Sequence, residues 1–156
     1  MSVFVVDASL VIKWFVPEVD STAAGRWLDA AHDYVAPDLL FPETGNTVWK
    51  KVRRGELSPD QGQRLVIDLS LIAVEAVSTR GLLPDAHALA LRTGVTVYDA
   101  TYLALAVRLE TQVITGDDRL ARRLTNHPLL APHVLSLRDF AKRSSARASR
   151  FRELLE

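Results

Sequence analysis

The 156-residue chain contains no cysteine. This excludes disulfide bridges, thiolate chemistry and cysteine-ligated zinc, and it is compatible with a reducing cytoplasm. Neither sign of charge is in excess, since 19 lysines and arginines face 19 aspartates and glutamates. No basic field over the whole molecule therefore advertises nucleic acid, and affinity for a polyanion has to come from local patches. No window reaches the roughly 20 apolar residues of a membrane span, and the N-terminus lacks a cationic leader ahead of a long apolar segment. A cytoplasmic protein with no membrane contact is expected. Absent as well are a Gly-x-Ser-x-Gly elbow, a Walker-type loop and a dinucleotide-binding Gly-x-Gly-x-x-Gly. His32, His87, His127 and His133 lack the spacing of metal ligands and read as surface or loop residues.

What the chain does have is enough length for one domain with a substantial core, and a regular alternation of apolar runs with helical stripes. Val3, Phe4, Val5 and Val6 run straight into Asp7, Ala8 and Ser9. A short, β-branched run of this kind reads as a strand buried on both faces of a parallel sheet. A short helix then runs to Val16, ahead of Pro17, and Asp20 or Ser21 offers a cap for a second helix through Ala31, closed by His32 and Asp33. Residues 34–37 give a strand signal. Leu39 to Arg54 reads as a helix with Pro42 and Glu43 in its first turns and Gly55 as its stop. Ser58, Pro59 and Asp60 open another helix to about Leu71. Further along, 73–77 reads as a strand, 79–82 as a turn, 82–92 as a helix and 95–97 as a strand. Tyr98 and Asp99 open a nearly all-apolar helix through Leu109. A strand over 112–117, a short helix over 118–124, a loop over 127–132 and a last strand over 134–137 complete the domain.

Strands alternating with helices, without a tight hairpin signal, predict an α/β fold: a three-layer α/β/α sandwich with a central parallel sheet. Strand order is not readable. The domain is expected over 1–137, with 138–156 as a basic extension, helical or partly disordered, carrying Lys142, Arg143, Arg147, Arg150 and Arg152.

Asp7, Asp99 and Asp117 each fall after a predicted strand, and Glu43 lies in the first turn of a helix that follows one. Singly, each acid is also an ordinary helix cap or a dipole-favoured residue. Together they converge, because every strand of a parallel sheet points the same way. Carboxylates crowded at one edge repel and have raised pKa values unless a cation neutralises them. An all-oxygen cluster favours Mg²⁺ or Mn²⁺, an ion that can clamp a phosphodiester and activate a water. Ser9 and Thr115 lie within reach as accessory hydroxyls.

These residues, in order and spacing, resemble the motifs of PIN-domain ribonucleases: Val5-Val6-Asp7-Ala8-Ser9, then Pro42-Glu43 with Asn46, then Val97-Tyr98-Asp99-Ala100 with Tyr102 and Ala104-Leu105-Ala106, then Ile114-Thr115 with Asp117 and Leu120. Within that family the chain is similar to the small VapC-like toxins of toxin–antitoxin pairs. The resemblance implies a metal-dependent endoribonuclease using Mg²⁺ or Mn²⁺. Asp7, Glu43, Asp99 and Asp117 match its catalytic quartet, Asp7, Asp99 and Asp117 its metal ligands, and Thr115 its accessory hydroxyl. It also implies a homodimer restrained by a cognate VapB-like antitoxin.

Arg119, Arg122 and Arg123 are candidate RNA contacts, as are Lys50, Lys51, Arg53 and Arg54, which read equally as a solvated helix end. Trp14, Phe15, Trp27 and Trp49 are expected in the core or, failing that, at a partner groove. Two other readings keep the fold: a PIN-type nuclease of RNA maturation outside any toxin–antitoxin pair, and a catalytically weak module that binds RNA or protein.

Overall fold

The computed structural model describes residues 2–16 and 32–143. Five strands form one sheet in the order β3-β2-β1-β4-β5, and every pair is parallel. Strand β1 (Ser2–Val6) lies in the middle, with β2 (His32–Pro37) and β3 (Glu75–Val77) on one side. On the other side are β4 (Val113–Thr115) and β5 (Val134–Ser136). Val5, Val6 and Ile114 are fully buried, as a strand covered on both faces requires. Register pairs Val5 with Val113 and Val6 with Ile114, so the two strands end side by side. Between β1 and β4 the strand order reverses direction. In parallel α/β sheets that point opens a crevice beyond the carboxyl ends of the strands.

Helix α1 (Ala8–Phe15) leaves β1, and α2 (Leu40–Arg53) follows β2. Gly55, in the left-handed conformation at φ +74°, stops α2 as predicted. Helix α3 (Pro59–Ser70) opens with a full capping box between Ser58 and Gln61. Helices α4 (Thr79–Thr93) and α5 (Val97–Arg108) pack on each other, and seven consecutive residues of α5, Ala100 to Ala106, are buried. The expected central helix is therefore α5. Helix α6 (Asp118–Thr125) follows β4, a single 3-10 turn over Ala131–His133 precedes β5, and residues 137–143 are helical, termed α7.

Three local expectations change. Residues 79–82 are not a turn but the first turn of α4, because Asp38 receives both the amide and the hydroxyl of Thr79 and anchors the helix start. Residues 95–97 are not a strand: Thr96 caps α5 and Val97 is already helical. His32 is not a loop residue: it is half-buried, begins β2 opposite Ser2 and packs edge-on against Phe4, with ring centroids 5.3 Å apart. The helix expected through Ala31, with Trp27, and the extension beyond 143, with Arg147, Arg150 and Arg152, lie outside the described residues.

Candidate active site

Asp7 ends β1 and caps α1. Its Oδ1 accepts the Leu10 amide at 2.9 Å and the Ser9 hydroxyl at 2.7 Å. Burial raises its pKa, the Thr115 and Ser9 hydroxyls and the Leu10 amide work against that rise, and the charge of Asp117 adds to it. The strand end thus delivers the acid and the helix start fixes its direction.

A chain of hydroxyls then links the ends of β1 and β4. Ser9 Oγ lies 3.2 Å from Thr115 Oγ1 and accepts the Gly116 amide at 3.0 Å, while Thr115 Oγ1 accepts the Asp117 amide at 3.1 Å. Thr115 is 1 % exposed, so these bonds are made away from water. A side chain at Gly116 would be crowded. A Cβ there would lie 2.8 Å from Cε of Lys13 and 3.1 Å from the Ser9 carbonyl oxygen. Asp117 caps α6, with Oδ1 accepting the amides of Arg119 and Leu120 at 3.0 Å each.

The other two acids arrive on helices. Asp99 sits in the first turn of α5, reached through a helix cap and not through a strand. Burial raises its pKa, Arg123 opposes the rise from 3.4 Å, and Asp117 adds to it. Glu43, in the first turn of α2, is pushed up to about 7 by burial first and then by the charges of Asp7 and Asp99. Its Oε1 is buried without a hydrogen-bond partner among the described residues.

Asp7, Ser9, Glu43, Asp99, Thr115 and Asp117 all line one cavity of about 160 Å³ at the switch point, together with Tyr102 and an apolar wall that includes Leu103, Val113 and Leu120. Pockets that enclose a drug-sized ligand start near 300 Å³. The size therefore suits an ion with several of its waters, or a phosphate, and not a whole nucleotide.

The four acids surround the cavity, but the expected cage of Asp7, Asp99 and Asp117 is not preformed. Among the described residues no three carboxylates or imidazoles converge on a point where an ion could sit. The reason is visible in their bonds. Each of the three aspartates is drawn toward a local partner, an amide, a hydroxyl or Arg123, while their charges repel one another. The donor set nonetheless fits a hard divalent ion. It is all oxygen, three of its acids have raised pKa values, and Glu43 offers an orphaned buried oxygen. Mg²⁺ is commonly bound through one or two carboxylates while it keeps several waters, so a closed cage is not required.

The candidate RNA contacts divide around α6, whose successive side chains turn about the helix. Arg123 reaches Asp99. Arg119 lines an adjoining open cleft with Lys13 and Thr47, which shares Ser9, Glu43 and Asp117 with the cavity. Arg122 faces away, into a separate cleft with Arg138, Lys142 and Arg143. At the end of α2, Lys51 pairs with Glu56 at 3.2 Å, and Arg53 stacks 5.1 Å over Trp49. Trp49 is 53 % exposed and so is not a core residue, whereas Trp14 packs against Tyr34 and Phe15 against the core. Sequence reasoning missed Tyr102 as a lining residue. Its signals were its place in the third motif and its position one helical turn after Asp99, hence on the same face.

A sequence model of the PIN domain matches residues 4–124. The chain is 40 % identical over 121 residues to Ribonuclease VapC3 of Pyrobaculum aerophilum, covering 76 % of this chain and 92 % of that protein. It is 32 % identical over 117 residues to Ribonuclease VapC1 of Mycobacterium tuberculosis, covering 75 % and 87 %. In three dimensions it is similar to a crystallised protein of Pyrobaculum aerophilum, with a TM-score of 0.67 at 21 % identity, covering 92 % and 95 % of the two chains. A toxin–antitoxin complex from Klebsiella pneumoniae matches with a TM-score of 0.60 at 17 % identity, covering 88 % and 98 %. At such identities the solved structures bear on the fold alone.

Proposed function

The chain belongs to the PIN-domain family, and from that premise we propose that it is a divalent-metal-dependent endoribonuclease, the toxin of a toxin–antitoxin pair. The observation that carries this reading is the convergence of Asp7, Glu43, Asp99 and Asp117 on one ion-sized cavity where β1 and β4 end. The VapC-type reading is supported by relatives named Ribonuclease VapC3 and VapC1. A VapB-like antitoxin is the partner this reading assigns, with a homodimer as the working form.

Asp7, Asp99 and Asp117 are the residues that would hold Mg²⁺ or Mn²⁺. When bound, the ion supplies a Lewis acid that offsets phosphate charge and makes water acidic enough to serve as nucleophile. Ser9 and Thr115 keep Asp7 and the Asp117 turn in place through the hydroxyl chain. Glu43, with a pKa near neutrality, is matched to take a proton from the attacking water as it adds to phosphorus and the bond to the leaving sugar oxygen breaks. Arg123, beside Asp99, offers a positive charge at the rim of an otherwise acidic cavity. The wall of Leu103, Val113 and Leu120 keeps bulk water from one side, which strengthens the electrostatics within.

The test is cleavage of end-labelled structured RNAs with Mg²⁺, Mn²⁺ or EDTA, comparing the native chain with Asp7→Asn and Asp99→Asn. Cutting that needs the ion and drops by at least roughly 100-fold in either variant is expected, as when a group acting in the transition state is lost. Equal cutting by all three proteins refutes the assignment.

A further inference from the structure

Tyr102 and Glu43 form a pair that the account above leaves unused. Tyr102 leaves α5 one turn after Asp99 and lines the acid cavity, yet it is only 4 % exposed. Its Oη has no hydrogen-bond partner among the described residues, and neither does the buried Oε1 of Glu43. The two groups are close enough to act on each other. Burial holds the phenol far above the ordinary tyrosine range, and the carboxylates of Glu43, Asp7 and Asp99 push it further. In return the phenol draws Glu43 down somewhat, although the geometry falls short of a hydrogen bond.

The phenol is therefore a donor at any working pH, facing an acceptor across an open bond. A buried polar group left unsatisfied is costly to the folded state. A fold that needed only packing here would be served better by phenylalanine. The other acids sharpen the contrast. Asp7 is held by Ser9 and the Leu10 amide, Asp117 by two amides and Asp99 by Arg123. The Glu43 carboxylate receives no such bond among the described residues, and the Tyr102 hydroxyl is placed to give it.

We propose that Tyr102 is a positioning residue for RNA cleavage. Its hydroxyl donates to the Glu43 carboxylate once substrate occupies the cavity, and so fixes the orientation from which Glu43 accepts the proton of the attacking water. This inference rests on the nuclease reading and adds a residue to it.

The experiment is Tyr102→Phe, which keeps the ring and removes only the hydroxyl. The kcat on RNA should fall roughly 10- to 100-fold, part of the 10²–10⁴-fold a general base contributes, with KM within about twofold. The Tm of the EDTA-treated protein should stay the same or rise, because the hydroxyl removed was unsatisfied. On a Glu43→Gln background the same substitution should cause no further loss of kcat, since the tyrosine acts through the glutamate. A kcat close to native, a lowered Tm, or an additive loss on the glutamine background each overturns the role. If the native chain cuts RNA and Asp99→Asn does not, such a result removes Tyr102 alone. A native chain that cuts nothing with either ion removes the nuclease reading, and this inference with it.

Discussion

Glu43 holds its proton to about 7 in the folded chain, against an ordinary value of 4.5. Between those values the folded state binds a proton that the unfolded state has released, so stability falls as pH rises through the window. Asp7 and Asp99, also raised, act in the same direction. Asp38, lowered by the Thr79 hydroxyl and amide, acts the other way; its contribution is present above 3.8 and lost as pH falls below that. The Tm in EDTA is therefore expected to decline from pH 5 to pH 7.5, and Glu43→Gln to flatten much of that decline. A variant with the native slope would show that the pH dependence arises elsewhere. At this scale the sequence was informative about Asp7 and Asp117, for a reason the bonds make plain. Capping a helix and lining the cavity are not alternatives for these residues, because one carboxylate does both. Tyr102 stood in the third motif but was given no role, because a tyrosine in a nearly apolar helix looks like core.

At the scale of the element, Asp99 depends on how α5 begins. Local pattern suggested a strand over 95–97, since Val-Thr-Val is β-prone, but Thr96 accepts the Asp99 amide and starts the helix earlier. The acid reaches the right place by a route that periodicity did not show. Thr96→Ala is expected to destabilise the fold by about 1 kcal/mol through the lost cap. It should also reduce RNA cleavage, because the first turn that carries Asp99 frays; full activity despite the lost stability would mean that the cap does not position the acid. The start of α4 was unreadable for a different reason. Gly81 looked like a turn residue, and the bonds that Thr79 donates to fix the start of the helix end on Asp38, more than 40 residues away. Helix α6 shows the limit of reading charge along a sequence: Arg119, Arg122 and Arg123 are near neighbours in the chain but face three different surroundings.

For the molecule as a whole, the class of fold was legible in the alternation of elements and the strand order was not, since each crossover can place the next strand on either side of the last. The order β3-β2-β1-β4-β5 matters most for function, because it sets Asp7 and Asp117 on either side of the switch point. The balanced net charge conceals a division of labour. Acids gather in the cavity, while Lys13 and Arg119 line the cleft adjoining it and Arg122, Arg138, Lys142 and Arg143 line the cleft beyond α6. Among the described residues, no helix is long and apolar enough to cross a membrane. The measurement that bears most directly on the central claim is a titration of the native chain with Mn²⁺, followed by electron paramagnetic resonance of the free ion at pH 7.5. Saturable uptake by the native chain, strongly weakened in Asp7→Asn and in Asp99→Asn, is the predicted result. Free Mn²⁺ that never falls in the presence of native protein, or uptake unchanged in both variants, would contradict it.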